Sequence, residues 1–352
     1  MKVQARGLTF ETIKRIFFRR EGRIYKLSSL ALFSSLITAC ASAPSTLSPH
    51  GPDAARVANL FWLMLAISGV VLIVIVALLL LAPFRSRRNP SGPEAYANDG
   101  RTLLLVLIGG ALIPIIVLLV IMGLGIATEQ AAYASTGQGV TVEVIGHQWW
   151  WEVRYQGQDF ETANEIHIPA GQMVTLKVSS ADVIHSFWVP ELHGKIDVIP
   201  GQTNTITIKA DRNGVYRGQC AEFCGVQHAH MALFIVAEAP DQFQNWLQEQ
   251  NAPAPEPAVG SLEQEGQQAF LGSSCVYCHT IKGTNASGKV GPDLTHLGSR
   301  LTIGAGTLPN TPGNLAGWMV NSQTIKPGNR MPPMDLNSDQ IQALLAYLKT
   351  LK

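Results

Sequence analysis

Cys220-Ala221-Glu222-Phe223-Cys224-Gly225-Val226-Gln227-His228-Ala229-His230-Met231 decides how the middle of this chain is read. Two thiols stand four residues apart, a histidine follows four residues after the second, and a methionine three beyond that. Soft sulfur with imidazole suits copper or zinc, and an added thioether tilts the choice to copper. A mononuclear copper site needs one cysteine. A second cysteine in the same loop lets two thiolates bridge two coppers, which then share one electron with little change of geometry on redox. Such a site moves electrons and has no substrate of its own. Downstream, Cys275-Val276-Tyr277-Cys278-His279 is the CxxCH signature of covalent haem attachment. Two one-electron centres in one chain make a wire.

The chain has 352 residues, 47% of them hydrophobic and 14% charged, with a net charge of +1. That balance excludes a strong electrostatic preference for nucleic acid or an anionic surface. The length suggests two or three domains. All five cysteines find a role: two metal ligands, two haem attachments and Cys40. None is left for a structural disulfide, so the cysteine count does not report the compartment. The CxxCH motif does, because covalent haem attachment implies the outer side of a bacterial membrane.

Cys40 ends Leu36-Ile37-Thr38-Ala39-Cys40, after a basic segment and a short apolar stretch from Leu27 to Ala39. That stretch is too short to span a bilayer and reads as the apolar core of a signal peptide. Small residues leading to a cysteine resemble a bacterial lipoprotein signal, which makes 1–39 a signal peptide and Cys40 the lipid-bearing residue. An ordinary cleaved signal with a chance cysteine is the plainer alternative.

Two apolar runs follow, roughly Val57 to Ala82 and Thr102 to Ala127, each longer than the ~20 residues that cross hydrocarbon. Neither contains a charge. Arg85, Arg87, Arg88 and Arg101 crowd the connection, which places that loop in the cytoplasm and both ends outside. Residues 40–128 are thus expected to form a transmembrane helical hairpin, with Pro114 kinking the second span. From 139 to 240 the pattern changes to period two: Val140, Val142 and Val144, then Ile166 and Ile168, then Val174, Leu176 and Val178, then Ile206 and Ile208. Short strands at this spacing, separated by turns such as Pro200-Gly201, suggest a β-sandwich. Asp241 to Gln250 reads as a short helix and 251–260 as a Pro/Ala-rich semi-rigid linker. In 261–352, Glu263 to Phe270 reads as helical, and Ser338 is expected to cap a final amphipathic helix through Leu351.

Gly146-His147-Gln148-Trp149-Trp150-Trp151, His185-Ser186-Phe187, Pro200-Gly201 and the Cys220–Met231 loop together resemble subunit II of bacterial cytochrome c oxidase, in the form carrying a fused cytochrome c domain. The resemblance runs from the first span to the C-terminus. It implies a multidomain membrane protein: a two-helix transmembrane hairpin, a cupredoxin-like β-sandwich and an all-α class I cytochrome c domain.

Carried over, the resemblance implies a binuclear copper A centre with Cys220 and Cys224 as bridging thiolates. His185 and His228 each bind one copper, Met231 is a weak axial ligand and the Glu222 carbonyl serves the other metal. Spacing alone does not choose between His228 and His230; the family pattern favours His228. His147, His167 and His193 read as structural. The Glu222 side chain is expected to point to an interface magnesium or manganese, whose other ligands the catalytic subunit would supply, since one carboxylate cannot make an octahedral oxygen site. Trp149 is the expected point where electrons pass to copper. Cys275 and Cys278 would hold haem c, with His279 as proximal ligand. Met319, Met331 and Met334 are candidates for the distal ligand, and the loop Lys326-Pro327-Gly328-Asn329-Arg330 before Met331 resembles the methionine loop of class I cytochromes. Gly291-Pro292 resembles the segment that orients the proximal histidine.

The reading that follows is the electron-input subunit of a haem-copper terminal oxidase in a bacterial inner membrane, with copper and haem domains on the periplasmic side. Its expected partners are subunit I, where oxygen is reduced with proton translocation, further oxidase subunits, membrane lipid, and reduced cytochrome c or another donor. One departure stands out. The family carries an acidic residue in the second span about two turns before the proline. Here that position is near Leu107, and no acid occurs between Arg101 and Thr128. The alternative is therefore the small subunit of a copper A-containing nitric oxide reductase. A copper chaperone or sensor does not need a haem beside its metal.

Overall fold

The computed structural model describes residues 44–88, 100–133 and 139–352. The signal segment, Cys40, Glu94 and Asp99 lie outside the described residues.

The first apolar run is one helix, α1 (Pro52–Arg88). The second is α2 (Gly100–Leu107) and α3 (Ile113–Tyr133), joined by a π turn over Ile108–Leu112. The disruption expected at Pro114 takes this form. Proline offers no N–H to the carbonyl four residues back and its ring crowds that turn, so the helix widens just before it. Pro52–Phe84 and Gly100–Gln130 are long and apolar enough to cross a membrane, with no buried residues in their most apolar windows. Leu72, Ile73 and Leu79 are each more than 60% exposed. An apolar face of that extent is stable against lipid and costly in water.

The start of α1 is anchored to the sandwich. Ala54 N donates to Leu192 O and His50 N to Glu191 O, while His50 O accepts from Asp211 N.

The middle of the chain is a sandwich of two five-stranded sheets. One runs β3 (Glu161–Ala163), β2 (Trp150–Tyr155), β1 (Thr141–His147), β5 (Val174–Ser180), β8 (Asn204–Ile208). The other runs β4 (Glu165–Pro169), β10 (Ala232–Glu238), β9 (Gly214–Cys220), β6 (His185–Trp188), β7 (Ile196–Val198). β1 pairs with β5, and β10 with β4, in parallel; the other neighbours are antiparallel. Period-two burial along β1 and β5 sends Val142, Val144, Val174, Leu176 and Val178 inward. They meet Trp151, Phe187, Leu233 and Ile235 in one core. The metal-loop residues Cys220 and Met231 join that core from the end of β9 and the turn before β10.

Helix α4 (Pro240–Asn251) closes the sandwich, burying Phe243 and Leu247. The stretch expected to be a linker is tied down at its start. Ala254 N donates to Lys282 O, and Lys282 Nζ reaches Asn251 O and the Asp159 carboxylate across the gap.

The last domain holds α5 (Leu262–Leu271), a 3₁₀ turn at Ser274–Tyr277, α6 (Pro312–Ile325) and α7 (Ser338–Thr350). It is not purely helical: β11 (Thr302–Ile303) and β12 (Leu308–Pro309) form a small hairpin. The cap of α7 is Asn337, not Ser338. Its side chain accepts from Gln340 N while Gln340 Oε1 accepts from Asn337 N, a reciprocal box that serine one residue later would not close. Helices α5 and α7 cross, with Phe270 against Tyr347. A Cβ on Gly266 would sit 1.9 Å from Ala343 O. Gly266→Ala is accordingly expected to cost about 3 kcal/mol, the upper end of overpacking penalties, read as earlier thermal loss of the helical signal of the haem-bearing domain.

Candidate functional site

Residues from three elements converge on the loop after β9. Cys220 Sγ lies 3.7 Å from Cys224 Sγ. The sulfurs are not bonded to each other, a disulfide being about 2.05 Å. His185 Nδ1, on β6, is 3.9 Å from Cys220 Sγ. His228 Nδ1 is 3.6 Å and Met231 Sδ 3.8 Å from Cys224 Sγ. The Glu222 carbonyl oxygen lies 3.2 Å from Cys220 Sγ. Each sulfur therefore has one imidazole near it, and the weaker donors sit one beside each sulfur. Two atoms 3.7 Å apart can both reach one metal at a bond length of about 2.3 Å. The donor set fits a sulfur-bridged copper pair. Cys220, Cys224, Met231 and His185 are all at most 3% exposed, so water is kept from these four side chains, whereas His228 is half-buried.

The local sequence explains why the loop can do this. Gly225 has φ +119, a conformation that side chains rarely adopt, and a Cβ there would meet the Trp149 ring at 2.9 Å. His185 is fixed from behind: its Nε2 donates to Asp182 Oδ1 at 2.9 Å, leaving Nδ1 for the sulfurs. Burial pushes Asp182 up, but hydrogen bonds from His185 and the Gln148 backbone outweigh it and hold its carboxyl below the usual range. The hydrogen bond between the two thiols pulls the Cys220 pKa down and pushes that of Cys224 up.

Placement distinguishes the two histidines that spacing left open. His228 faces Cys224, whereas His230 Nδ1 donates to Gln227 Oε1 at 2.7 Å. His230→Ala is expected to keep full copper content, and His228→Ala to lose the paired-copper absorption; metal analysis with visible spectra separates them. His147 pairs with Glu152 and stacks on Trp150, His167 pairs with Glu238 and stacks on Trp246, and His193 Nδ1 donates to Gly194 O. These three are structural. The Glu222 carboxylate stands half-exposed, 3.8 Å from Lys195 Nζ.

The three adjacent tryptophans divide their roles. Trp151 is fully buried in the sandwich core. Trp150 stacks on His147. Trp149 Nε1 donates to the Cys224 carbonyl at 3.0 Å, and Gln148 Nε2 donates to the same oxygen at 2.8 Å.

A cavity of about 310 Å³ opens in the C-terminal domain, lined by Cys275, Cys278 and His279. His279 Nδ1 donates to Pro292 O at 2.7 Å, which leaves Nε2 as the lone-pair nitrogen. Burial lowers the His279 pKa, favouring the neutral form that binds iron. The residues fit haem c. Met319, Met331 and Met334 all line the cavity. Met319 belongs to the packed core of that domain, and the Met334 sulfur accepts from Ser274 Oγ. Met331 is pinned by its backbone alone: its N–H donates to Asn329 Oδ1, and its carbonyl accepts from Ser322 and Gln323. The same cavity is lined by Gln148, Trp149 and Trp150 from the sandwich. One indole thus lines this cavity and hydrogen-bonds the backbone of Cys224.

Sequence reasoning missed Lys326. Burial holds its amine down to about 7, with the Cys224 sulfur pulling the other way. Nothing in the residue pattern marks it, because a lysine in a Pro-Gly-Asn loop reads as solvated.

Residues 156–239 match the family described as cytochrome C oxidase subunit II, periplasmic domain, and residues 263–352 match the cytochrome c family. The chain is 35% identical over 346 residues to the cytochrome c oxidase subunit 2 of Alkalihalophilus pseudofirmus, covering 95% of this chain and 98% of the relative. It is 28% identical over 345 residues to that of Bacillus subtilis, covering 92% and 96%. Among solved structures, the periplasmic domain of subunit II of cytochrome oxidase (CoxB) of Bradyrhizobium japonicum is 31% identical, with a TM-score of 0.32 over 33% of this chain and 94% of that one. The chain belongs to the cytochrome c oxidase subunit 2 family and is part of a haem-copper terminal oxidase complex, with the family's periplasmic copper-type domain and a cytochrome c domain on one polypeptide.

Proposed function

We propose that this chain is the electron-input subunit of its oxidase, taking electrons at the C-terminal domain and delivering them, through the sandwich, to subunit I, where oxygen is reduced. The observation that carries the reading is the placement of Trp149 between the two sites. Haem c and a copper pair, when bound, supply the one-electron chemistry. The residues supply the rest. Cys275, Cys278, His279 and Met331 hold the haem. Cys220, Cys224, His185, His228, Met231 and the Glu222 carbonyl would hold the copper, four of them (Cys220, Cys224, His185 and Met231) shielded from water. Trp149 bridges cavity and copper loop by contact and by its hydrogen bond to Cys224 O. The Glu222 side chain is half-exposed and would contribute one oxygen to a magnesium or manganese shared with subunit I. The helical hairpin sits in a bacterial inner membrane with both domains on the periplasmic side and, if Cys40 is acylated, a lipid beside it. Reduced cytochrome c or another donor feeds the haem. Because donor and acceptor are joined on one chain, transfer does not depend on encounter between two separate proteins.

The missing acid near Leu107 keeps nitric oxide as the competing substrate. Gas uptake by the purified complex, driven by an artificial reductant, separates the two. Rapid cyanide-sensitive oxygen consumption is expected. Nitric oxide consumption with negligible oxygen uptake would overturn the reaction while keeping both metal-site assignments.

A further inference from the structure

The contact between the sandwich and the C-terminal domain contains buried polar groups. Lys326, at the end of α6, is 3% exposed. Its Nζ donates to Trp149 O at 2.7 Å and to Gly304 O at 3.0 Å. The first carbonyl belongs to the sandwich, the second to the turn between β11 and β12. Glu165, on β4, is 4% exposed, and its Oε1 accepts from Leu301 N at 2.8 Å and Thr302 N at 3.1 Å, at the base of the same hairpin. At the hairpin tip, Ala232 N of β10 donates to Ala305 O at 3.0 Å. Gln227, in the copper loop, donates from Nε2 to Pro327 O at 2.6 Å. The hairpin is held from both sides, and the lysine ties it directly to the residue that bridges the two sites.

Burying a lysine and a glutamate costs free energy unless each is satisfied by hydrogen bonds. Both are. The two N–H groups that Lys326 requires are present on the ammonium and on the neutral amine alike, so the clamp does not depend on its charge. A pair of solvated residues would keep two domains close. Only buried, directional bonds keep them in one register.

Resting on the haem and copper assignments proposed above, we propose that Lys326 and Glu165 are positioning residues for transfer between the two sites: they lock the haem-bearing domain against Trp149, so that transfer proceeds from one fixed pose without a search by a tethered domain. Neither side chain binds haem or copper. Each acts through the backbone it holds.

The test uses the full oxidase complex and the variants Lys326→Met and Glu165→Met, the second leaving no side-chain acceptor for the Leu301 and Thr302 amides. Haem and copper content and both potentials are measured first. A wild-type complex without those centres would refute the underlying assignments, and the locking proposal would fall with them. In the loaded wild type, the transfer rate after a brief reducing pulse is expected to be independent of solvent viscosity. The amides of Leu301, Thr302 and Ala232 are expected to be protected from hydrogen exchange. In Lys326→Met, transfer is expected to slow at least tenfold and become viscosity-dependent, and those amides to exchange at least tenfold faster, with unchanged potentials. A merely structural role would not produce the viscosity dependence. Wild-type transfer and protection in Lys326→Met would overturn the proposal. If that variant disturbs the haem spectrum, Glu165→Met, which lies outside the C-terminal domain and leaves no acceptor for the Leu301 and Thr302 amides, decides: slowed, viscosity-dependent transfer supports the lock, and unchanged transfer and exchange overturn it.

Discussion

Cys224→Ser abolishes the paired-copper centre and lowers oxygen consumption to below about 1% of wild type. Changes one shell out from a metal already cost about 10–100-fold, and this one removes a ligand. Cys224 is the hub of the cluster: Cys220 Sγ, His228 Nδ1 and Met231 Sδ all lie within 3.8 Å of its sulfur. A serine hydroxyl is harder, binds copper poorly and does not bridge as a thiolate does. The near-isosteric change leaves the 3% exposed site packed, so haem content and circular dichroism should match wild type. Metal analysis is expected to show the loss of at least one copper per complex relative to wild type. Unchanged copper content with normal turnover in Cys224→Ser would remove the bridging role.

Met331→Leu is expected to lower the haem potential by on the order of 0.1 V or more, within the ~0.8 V that axial ligands control, and to abolish the thioether–iron absorption. Electron flow to copper should then stall at the level of driving force, while Leu, close in volume to Met, costs under ~1.5 kcal/mol of stability. Met319→Leu and Met334→Leu are the controls. Met319 is packed in the domain core and Met334 is engaged by Ser274, so neither substitution should move the potential appreciably. A potential shift in Met334→Leu with none in Met331→Leu would transfer the ligand role. Redox titration of the three variants settles it.

Much of this was legible in the residues because the chemistry is local. The two thiols, His228 and Met231 come from one loop, and the CxxCH motif from another. Strands with clean alternation, such as β1 and β5, announce themselves. Strands β6 and β9 do not: His-Ser-Phe-Trp and Gly-Val-Tyr-Arg-Gly-Gln-Cys mix buried ligands and charged rims in a few residues. Helix α6 starts with Pro-Gly and carries little amphipathic contrast, so no period marks it. The Asn337 cap was missed by one residue because serine and asparagine cap comparably and only the reciprocal Gln340 bond distinguishes them. What no sequence pattern held was the contact between domains. Lys326 and Glu165 look like surface charges until residues more than 130 positions apart bring carbonyls and amides to them. Long-range burial, not local propensity, decides their role.

The most direct test of the central claim is a brief reducing pulse delivered to the haem of the oxygen-free complex, with haem and copper absorbance followed together. The account predicts that haem oxidation and copper reduction share one rate constant, that this constant is independent of protein concentration, and that Trp149→Ala slows both traces equally. Copper that stays oxidised beside a reduced haem, or a rate that scales with concentration, would contradict an internal path from the C-terminal domain to the sulfur-bridged site.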